Sequence, residues 1–121
     1  ILDIGRSQFT QILQQQLNHP VDTLGFDAEG HYATGMHYHF NLNDCQFPER
    51  LRTDLPAYDL IILAEVIEHL YVSPLLVLPF LRGLLKPGGF LIIQTPNAVA
   101  IHKRLKMLAG INPYEQIRVE Y

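Results

Sequence analysis

The segment Tyr58 to Leu70, YDLIILAEVIEHL, constrains this chain more than any other. It begins as an apolar run of strand length, the pattern of a strand covered on both faces of a parallel sheet. It then breaks into a helix-forming hexapeptide carrying two acids and a histidine. In open α/β sheets, ligands bind beyond the carboxyl ends of the strands, so Glu65, Glu68 and His69 stand where chemistry is done. On a helix their i, i+3, i+4 spacing would put all three on one face.

The other segments alternate in the same way. Residues 1–5 read as a short buried strand ending at Gly5. Ser7 is placed to cap a helix with Phe9, Ile12, Leu13 and Leu17 on its apolar face, stopping before Pro20. Val21 to Phe26 reads as a second strand ending in Asp27. Ala28 to Gly35 is expected to be loop or a frayed helical turn, and Met36 to Phe40 a third strand. Asn41 to Pro56 is polar and irregular, broken by Pro48 and Pro56. Tyr58 to Ala64 is the fourth strand. Ser73-Pro74 opens a leucine-rich helix that Pro79 should kink or split. Lys86 to Gly89 reads as a turn and Phe90 to Thr95 as the fifth strand. Asn97 is expected to cap a last helix with Ile101, Leu105 and Leu108 on one face, ending at Gly110. Such alternation implies right-handed crossovers and a doubly wound, mainly parallel α/β sheet in the order 3-2-1-4-5, with helices on both faces.

A chain of 121 residues, 48% hydrophobic and 17% charged, can build one globular core. The apolar runs around Ile61 and Leu91 are far shorter than a membrane span, so no membrane insertion is expected. Cys45 is the single cysteine, which removes internal disulfides and cysteine-built zinc sites and makes a cytoplasmic setting the default expectation. A net charge of −3 argues against general nucleic-acid binding, which needs clustered Lys and Arg. The chain opens at Ile1, already inside what reads as a buried strand, and the polar stretch up to Tyr121 carries no terminal signal. A trimmed piece of a longer domain is expected.

EVIEHL, followed by Leu85-Lys86-Pro87-Gly88-Gly89 and then Gln94-Thr95-Pro96-Asn97, resembles the class I S-adenosylmethionine-dependent methyltransferases. The resemblance runs over nearly the whole chain but over only part of the family's domain, which continues into two further strands. It implies a single partial methyltransferase domain over residues 1–121 with a Rossmann-like core. The implied cofactor is S-adenosylmethionine, with a methyl group passed to a small-molecule, lipid-precursor or sugar acceptor.

Under that resemblance, Asp3-Ile4-Gly5 matches the start of the family's glycine-rich first motif. Gly5 lets the chain turn sharply and bring backbone N–H groups close to a ligand. Ser7 and Phe9 replace the glycines that usually follow; Ser7 can cap the helix or bond the cofactor's carboxylate, and Phe9 reads as core. Asp27, just over twenty residues past Gly5, is implied to accept hydrogen bonds from the ribose hydroxyls. Asn41, with Leu42 next to it, takes the position beside the adenine; Asp44 is the alternative. The backbone at Ala64 and Glu65 is implied to line the cofactor pocket.

Glu68 and His69 belong to the reaction end, where His69 is the candidate base by its ordinary pKa. The E-x-x-E-H pattern also resembles the divalent-metal motif of ubiquinone-pathway O-methyltransferases and small-RNA 2′-O-methyltransferases, and the metal-free version is the favoured expectation. Thr95-Pro96-Asn97 is expected to border the acceptor. His102, Lys103, Arg104 and Lys106 form a basic helix face, read either as solvated surface or as a contact for an anionic acceptor. His37 and His39 share a strand face and read as packing or solvated groups more than as a metal pair. Two rival functions stay open: a non-catalytic relative that binds cofactor or a partner protein, and a nucleotide-binding Rossmann enzyme of another chemistry. The G-x-G-x-x-G pattern of nicotinamide dehydrogenases is absent after the first strand.

Overall fold

The structure, a computed structural model, describes residues 1–97 and 100–113. The stretch running up to Tyr121 lies outside the described residues. Six strands, β1 (Leu2–Ile4), β2 (Asp22–Gly25), β3 (Gly30–His31), β4 (Met36–His39), β5 (Tyr58–Ala64) and β6 (Leu85–Gln94), form one sheet in the order β3-β4-β2-β1-β5-β6. Every neighbouring pair is parallel except β3 with β4. The expected order of five parallel strands is found, with β3 added where loop or frayed helix was expected. The link from β2 to β4, residues 26–35, is too short for a helical crossover of about a dozen residues. The chain instead passes along the outer side of β4 as an antiparallel edge.

Alternation along the strands divides the sheet into two unlike faces. Leu2, Ile4, Leu24, Ile61 and Leu63 are buried in one cluster with Val77, Leu81 and Leu84 from α2 (Pro74–Gly83) and its end. The intervening residue Asp3 faces the other way, where Thr10 of α1 (Gln8–Leu17) donates its hydroxyl to Asp3 Oδ2 at 2.7 Å. The two helices therefore cover opposite faces of the sheet.

Ser7 caps α1 as expected. Its Oγ accepts from the Phe9 N–H at 3.2 Å, and its own N–H donates to Thr10 Oγ1 at 3.0 Å, a reciprocal capping box. Ser7→Ala is expected to cost about 1 kcal/mol, read as a lower urea midpoint; an unchanged midpoint would show that Thr10 alone closes the turn. The apolar face assigned to this helix is a correction. Phe9, Ile12 and Leu17 are exposed and Thr10 is the buried residue of the helix. The sheet row beneath it is polar at Asp3 and Thr23, and the Thr10–Asp3 hydrogen bond ties the helix to it.

Three further expectations are corrected. α2 runs through Pro79 as one helix. The bond lost there is that to Leu75, and both residues are exposed, so water can satisfy the carbonyl. Lys86 to Gly89 does not separate α2 from the last strand but lies within β6 as a bulge: Leu85 pairs with Tyr58 while Phe90 pairs with Leu60. Gly88 takes φ 80°, and a Cβ on Gly89 would stand 3.1 Å from the carbonyl oxygens of Tyr58 and Asp59, so only glycine lets the bulge close on β5. Finally, α3 (Ile101–Leu108) starts at Ala100 without a side-chain cap, not at Asn97, and its Ile101, Leu105 and Leu108 are exposed. Among the described residues, no helix is long and apolar enough to cross a membrane.

Candidate functional site

The carboxyl ends of β1, β2, β4 and β5 open on two adjoining cavities. One, of about 380 Å³, is bordered by Asp27, His37, Phe40, Asn41, Leu42 and His69. The other, of about 670 Å³, is bordered by Asp3, Ser7, Phe9, Ala64, Ile92 and Gln94. Gly5, Arg6, Glu65 and Val66 border both, so the two form the halves of one groove along the sheet edge.

Gly5 lies where the two halves adjoin. It leaves β1 at φ 87°, a conformation that side chains disfavour, while its N–H still donates to the Leu24 carbonyl at 2.9 Å. The chain thus turns at once from strand to helix, and Arg6 is carried over the end of β2. There Arg6 Nε donates to Asp27 Oδ2 at 2.9 Å, and the guanidinium lies 4.0 Å from the centre of the Tyr32 ring. Asp27 is therefore beside Gly5, as the sequence suggested, and is held by an arginine that sequence reasoning did not single out.

Asn41 and Leu42 meet at the end of β4. Asn41 Oδ1 accepts from the Asn43 N–H at 2.9 Å and caps a 3₁₀ turn, Leu42–Gln46; its amide N–H₂ group is its donor side. Leu42 is buried against the cavity. Asp44, the alternative, accepts from Arg50 at 2.9 Å and borders neither cavity.

The EVIEHL segment departs from its expected form. Glu65 sits at φ 55°, and only Ile67–His69 closes into a 3₁₀ turn. A left-handed glutamate cannot begin a regular helix, so the shared face of Glu65, Glu68 and His69 is not formed. Glu65 instead accepts from the Gln94 amide, and its N–H donates to the Gln94 carbonyl at 3.0 Å. Glu68 Oε2 accepts from Thr95 Oγ1 at 3.2 Å. Both acids tie the turn to the end of β6, and the His69 side chain, 78% exposed, is left at the cavity rim. A strained non-glycine residue at a ligand edge is where function tends to hold the backbone. Among the described residues, no group of three or more His, Cys, Asp or Glu is arranged to hold a metal ion.

A buried polar row crosses the sheet under α1. Register places His37 of β4 beside Thr23 of β2, and Thr23 beside Asp3 of β1. Asp3 is 2% exposed, and burial pushes its carboxyl up to about 6, against the Thr10 hydrogen bond that lowers it. Burial likewise lowers the pKa of His37, whose residue is 0% exposed. Thr23 Oγ1 lies 2.6 Å from His37 Nδ1. His37 Nε2 is buried with no hydrogen-bond partner. The signal for this row was present in the alternation of β4, which puts His37 and His39 on one face; the full burial of His37 and the exposure of His39 could not be read from it.

The sequence profile of a family described as methyltransferase domain matches residues 2–119. No curated protein and no solved structure matches the chain.

Proposed function

Because the chain belongs to the methyltransferase-domain family, we propose that the groove takes S-adenosylmethionine and that the protein passes the methyl group to a small-molecule, lipid-precursor or sugar acceptor. The observation that carries this reading is the groove itself: Gly5, Asp27, Asn41 and Glu65, from four different strand ends, border connected cavities. The residues present suit the cofactor's chemistry. A carboxylate at Asp27 accepts from ribose hydroxyls, Phe40 and Leu42 offer apolar surface to a purine, and Asn41 offers an amide to its edge. Gly5 leaves room for a ligand to approach the backbone, and His37, whose buried Nε2 has no partner, is among the residues that border the same cavity.

In this reading Asp27 binds the ribose, Asn41 and Leu42 hold the adenine, and Asp3, Gly5 and Ser7 face the amino-acid end. The backbone at Ala64 and Glu65 walls the groove between them. When bound, S-adenosylmethionine supplies an electrophilic methyl group on a sulfonium, open to direct displacement by the acceptor. The chain's part is to align the two reactants and exclude water. His69 stands at the rim as the group to take a proton from a hydroxyl acceptor, and Glu68, bonded to Thr95, fixes the turn that presents it.

Titration calorimetry of the chain with S-adenosylmethionine, S-adenosylhomocysteine and NAD tests this. Both sulfur ligands should bind and NAD should give no heat. Binding of NAD without either sulfur ligand would overturn the reading in favour of another nucleotide chemistry. One observation favours a second reading, binding without catalysis: Ser7 and Phe9 occupy the positions of the family's later glycines, and Arg6 engages Asp27. Binding of S-adenosylhomocysteine with no methyl transfer to any offered acceptor class would support it.

A further inference from the structure

We propose that the His37 Nε2–H is a hydrogen-bond donor to the nucleoside part of the groove's ligand, an inference that rests on the reading of the groove as an S-adenosylmethionine site. Among the described residues, His37 Nε2 is the buried side-chain nitrogen or oxygen left without a partner. Folded proteins leave few such atoms unpaired, because a buried donor without an acceptor forfeits the hydrogen bonds it made to water. An orphan of this kind, in a residue that borders a cavity, points to a place for a ligand atom.

The tautomer follows from Thr23. Its hydroxyl has one donor, and its hydrogen bond is that with His37 Nδ1 at 2.6 Å. If Nδ1 carried the proton, the threonine O–H would itself be a buried donor without an acceptor. With Thr23 donating to Nδ1, both groups are satisfied and the proton sits on Nε2, so the orphan is a donor. Burial lowers the pKa of the ring most; the Asp27 carboxylate opposes this, as does a hydrogen-bonding pull from the Asp27 backbone, which falls short of hydrogen-bond geometry to Nε2. With Nδ1 taken by Thr23, the His37 Nε2–H is the free donor of the ring.

Place and chemistry agree. A Cβ on Gly25 would stand 3.6 Å from His37 Cε1, so the imidazole edge lies directly behind the glycine at the end of β2, and both residues border the cavity. Tyr32 packs edge-on against the ring at 5.8 Å and fixes its orientation. Asp27 at the same strand end is an acceptor and suits the ligand's hydroxyl donors. His37 supplies the complementary donor, suited to a ribose oxygen or a purine nitrogen of neutral adenosine. Together they would read both polarities of the nucleoside.

The test uses the full chain, labelled with nitrogen-15, and long-range proton–nitrogen spectra of the histidine rings. His37 should show the Nε2–H tautomer, and its Nε2 resonance should move on saturation with S-adenosylhomocysteine or with 5′-methylthioadenosine, which lacks the amino-acid end. The paired substitution Thr23→Val with His37→Phe leaves neither partner orphaned, so its thermal midpoint should equal or exceed that of the wild type. Its affinity for both ligands should fall about three- to tenfold, the worth of one hydrogen bond. A purely structural histidine would give the opposite pattern, a lower midpoint with unchanged affinity. Unchanged affinity and an unmoved resonance in protein that binds S-adenosylhomocysteine overturn this inference alone. Failure of the wild type to bind S-adenosylhomocysteine overturns the function reading, and this inference with it.

Discussion

Asp3→Asn is expected to stabilise the fold at neutral pH by up to about 3 kcal/mol, and to lose that advantage below about pH 4. Asp3 is buried in the polar row under α1, and its folded pKa of about 6 lies above the ordinary 3.8. Below 3.8 both folded and unfolded chains hold the proton, and the contribution of this group is at its most favourable. As pH rises toward 6 the unfolded chain ionises first, so stability falls; above 6 both states are ionised and the loss is complete. Asparagine stays neutral throughout and keeps an oxygen to accept the Thr10 hydroxyl, so the variant should lack this fall. Urea unfolding at about pH 4 and about pH 7 measures both ends. Equal stability of the two proteins at neutral pH would mean that Asp3 ionises without penalty and that its burial is relieved by a route other than Thr10.

Higher stability of Asp3→Asn at neutral pH would mean that the carboxylate is kept at a cost to the fold, which points to use. Asp3 borders the half of the groove proposed for the amino-acid end, and the proposed cofactor is cationic at both sulfur and nitrogen. A negative group favours such a ligand at the expense of the fold, the usual direction of exchange between activity and stability.

How far the sequence could be read follows from which signals are local. Tyr58 to Ala64 and the later apolar run needed nothing but their own composition to read as buried strands, and five parallel strands in the expected order followed from their alternation with helices. The positions of Gly5 and Asp27 at adjacent strand ends came from the same logic. What failed depended on register or on tertiary fit. Nothing in Ala28 to Gly35 says that the link is too short for a crossover until β2 and β4 are known to be neighbours. The Glu65-Glu68-His69 face assumed a helix, whereas Glu65 is still bonded to the last strand through its N–H to the Gln94 carbonyl and takes a left-handed conformation. The Phe9-Ile12-Leu17 stripe has good helical period yet stays exposed, while Thr10 is the helix residue buried over the row of Asp3 and Thr23. Buried polar rows of this kind are written across three strands and are invisible along any one of them.

Asp27→Ala should weaken S-adenosylhomocysteine binding by about 1.5–3 kcal/mol, the range for hydrogen bonds to a charged group, or about ten- to 150-fold in dissociation constant. The argument turns on what Asp27 does without ligand. Its carboxylate is 49% exposed and its ion pair with Arg6 is at the surface, where such pairs contribute about 0–1 kcal/mol. Removing it should therefore leave the unfolding midpoint nearly unchanged, and a large loss of affinity cannot then be blamed on the fold. Arg6 supplies the control. It occupies Oδ2 of Asp27 while resting on Tyr32, so if ligand hydroxyls compete for that oxygen, Arg6→Ala should bind as tightly as the wild type or more tightly. If Arg6 instead orients the carboxylate for its ligand, Arg6→Ala should lose affinity in parallel with Asp27→Ala, and the double variant should be no worse than either single one. Calorimetry on the four proteins separates these cases. Wild-type affinity in Asp27→Ala, with the fold intact, would reduce Asp27 to an anchor for Arg6 and remove the ribose contact from this strand end.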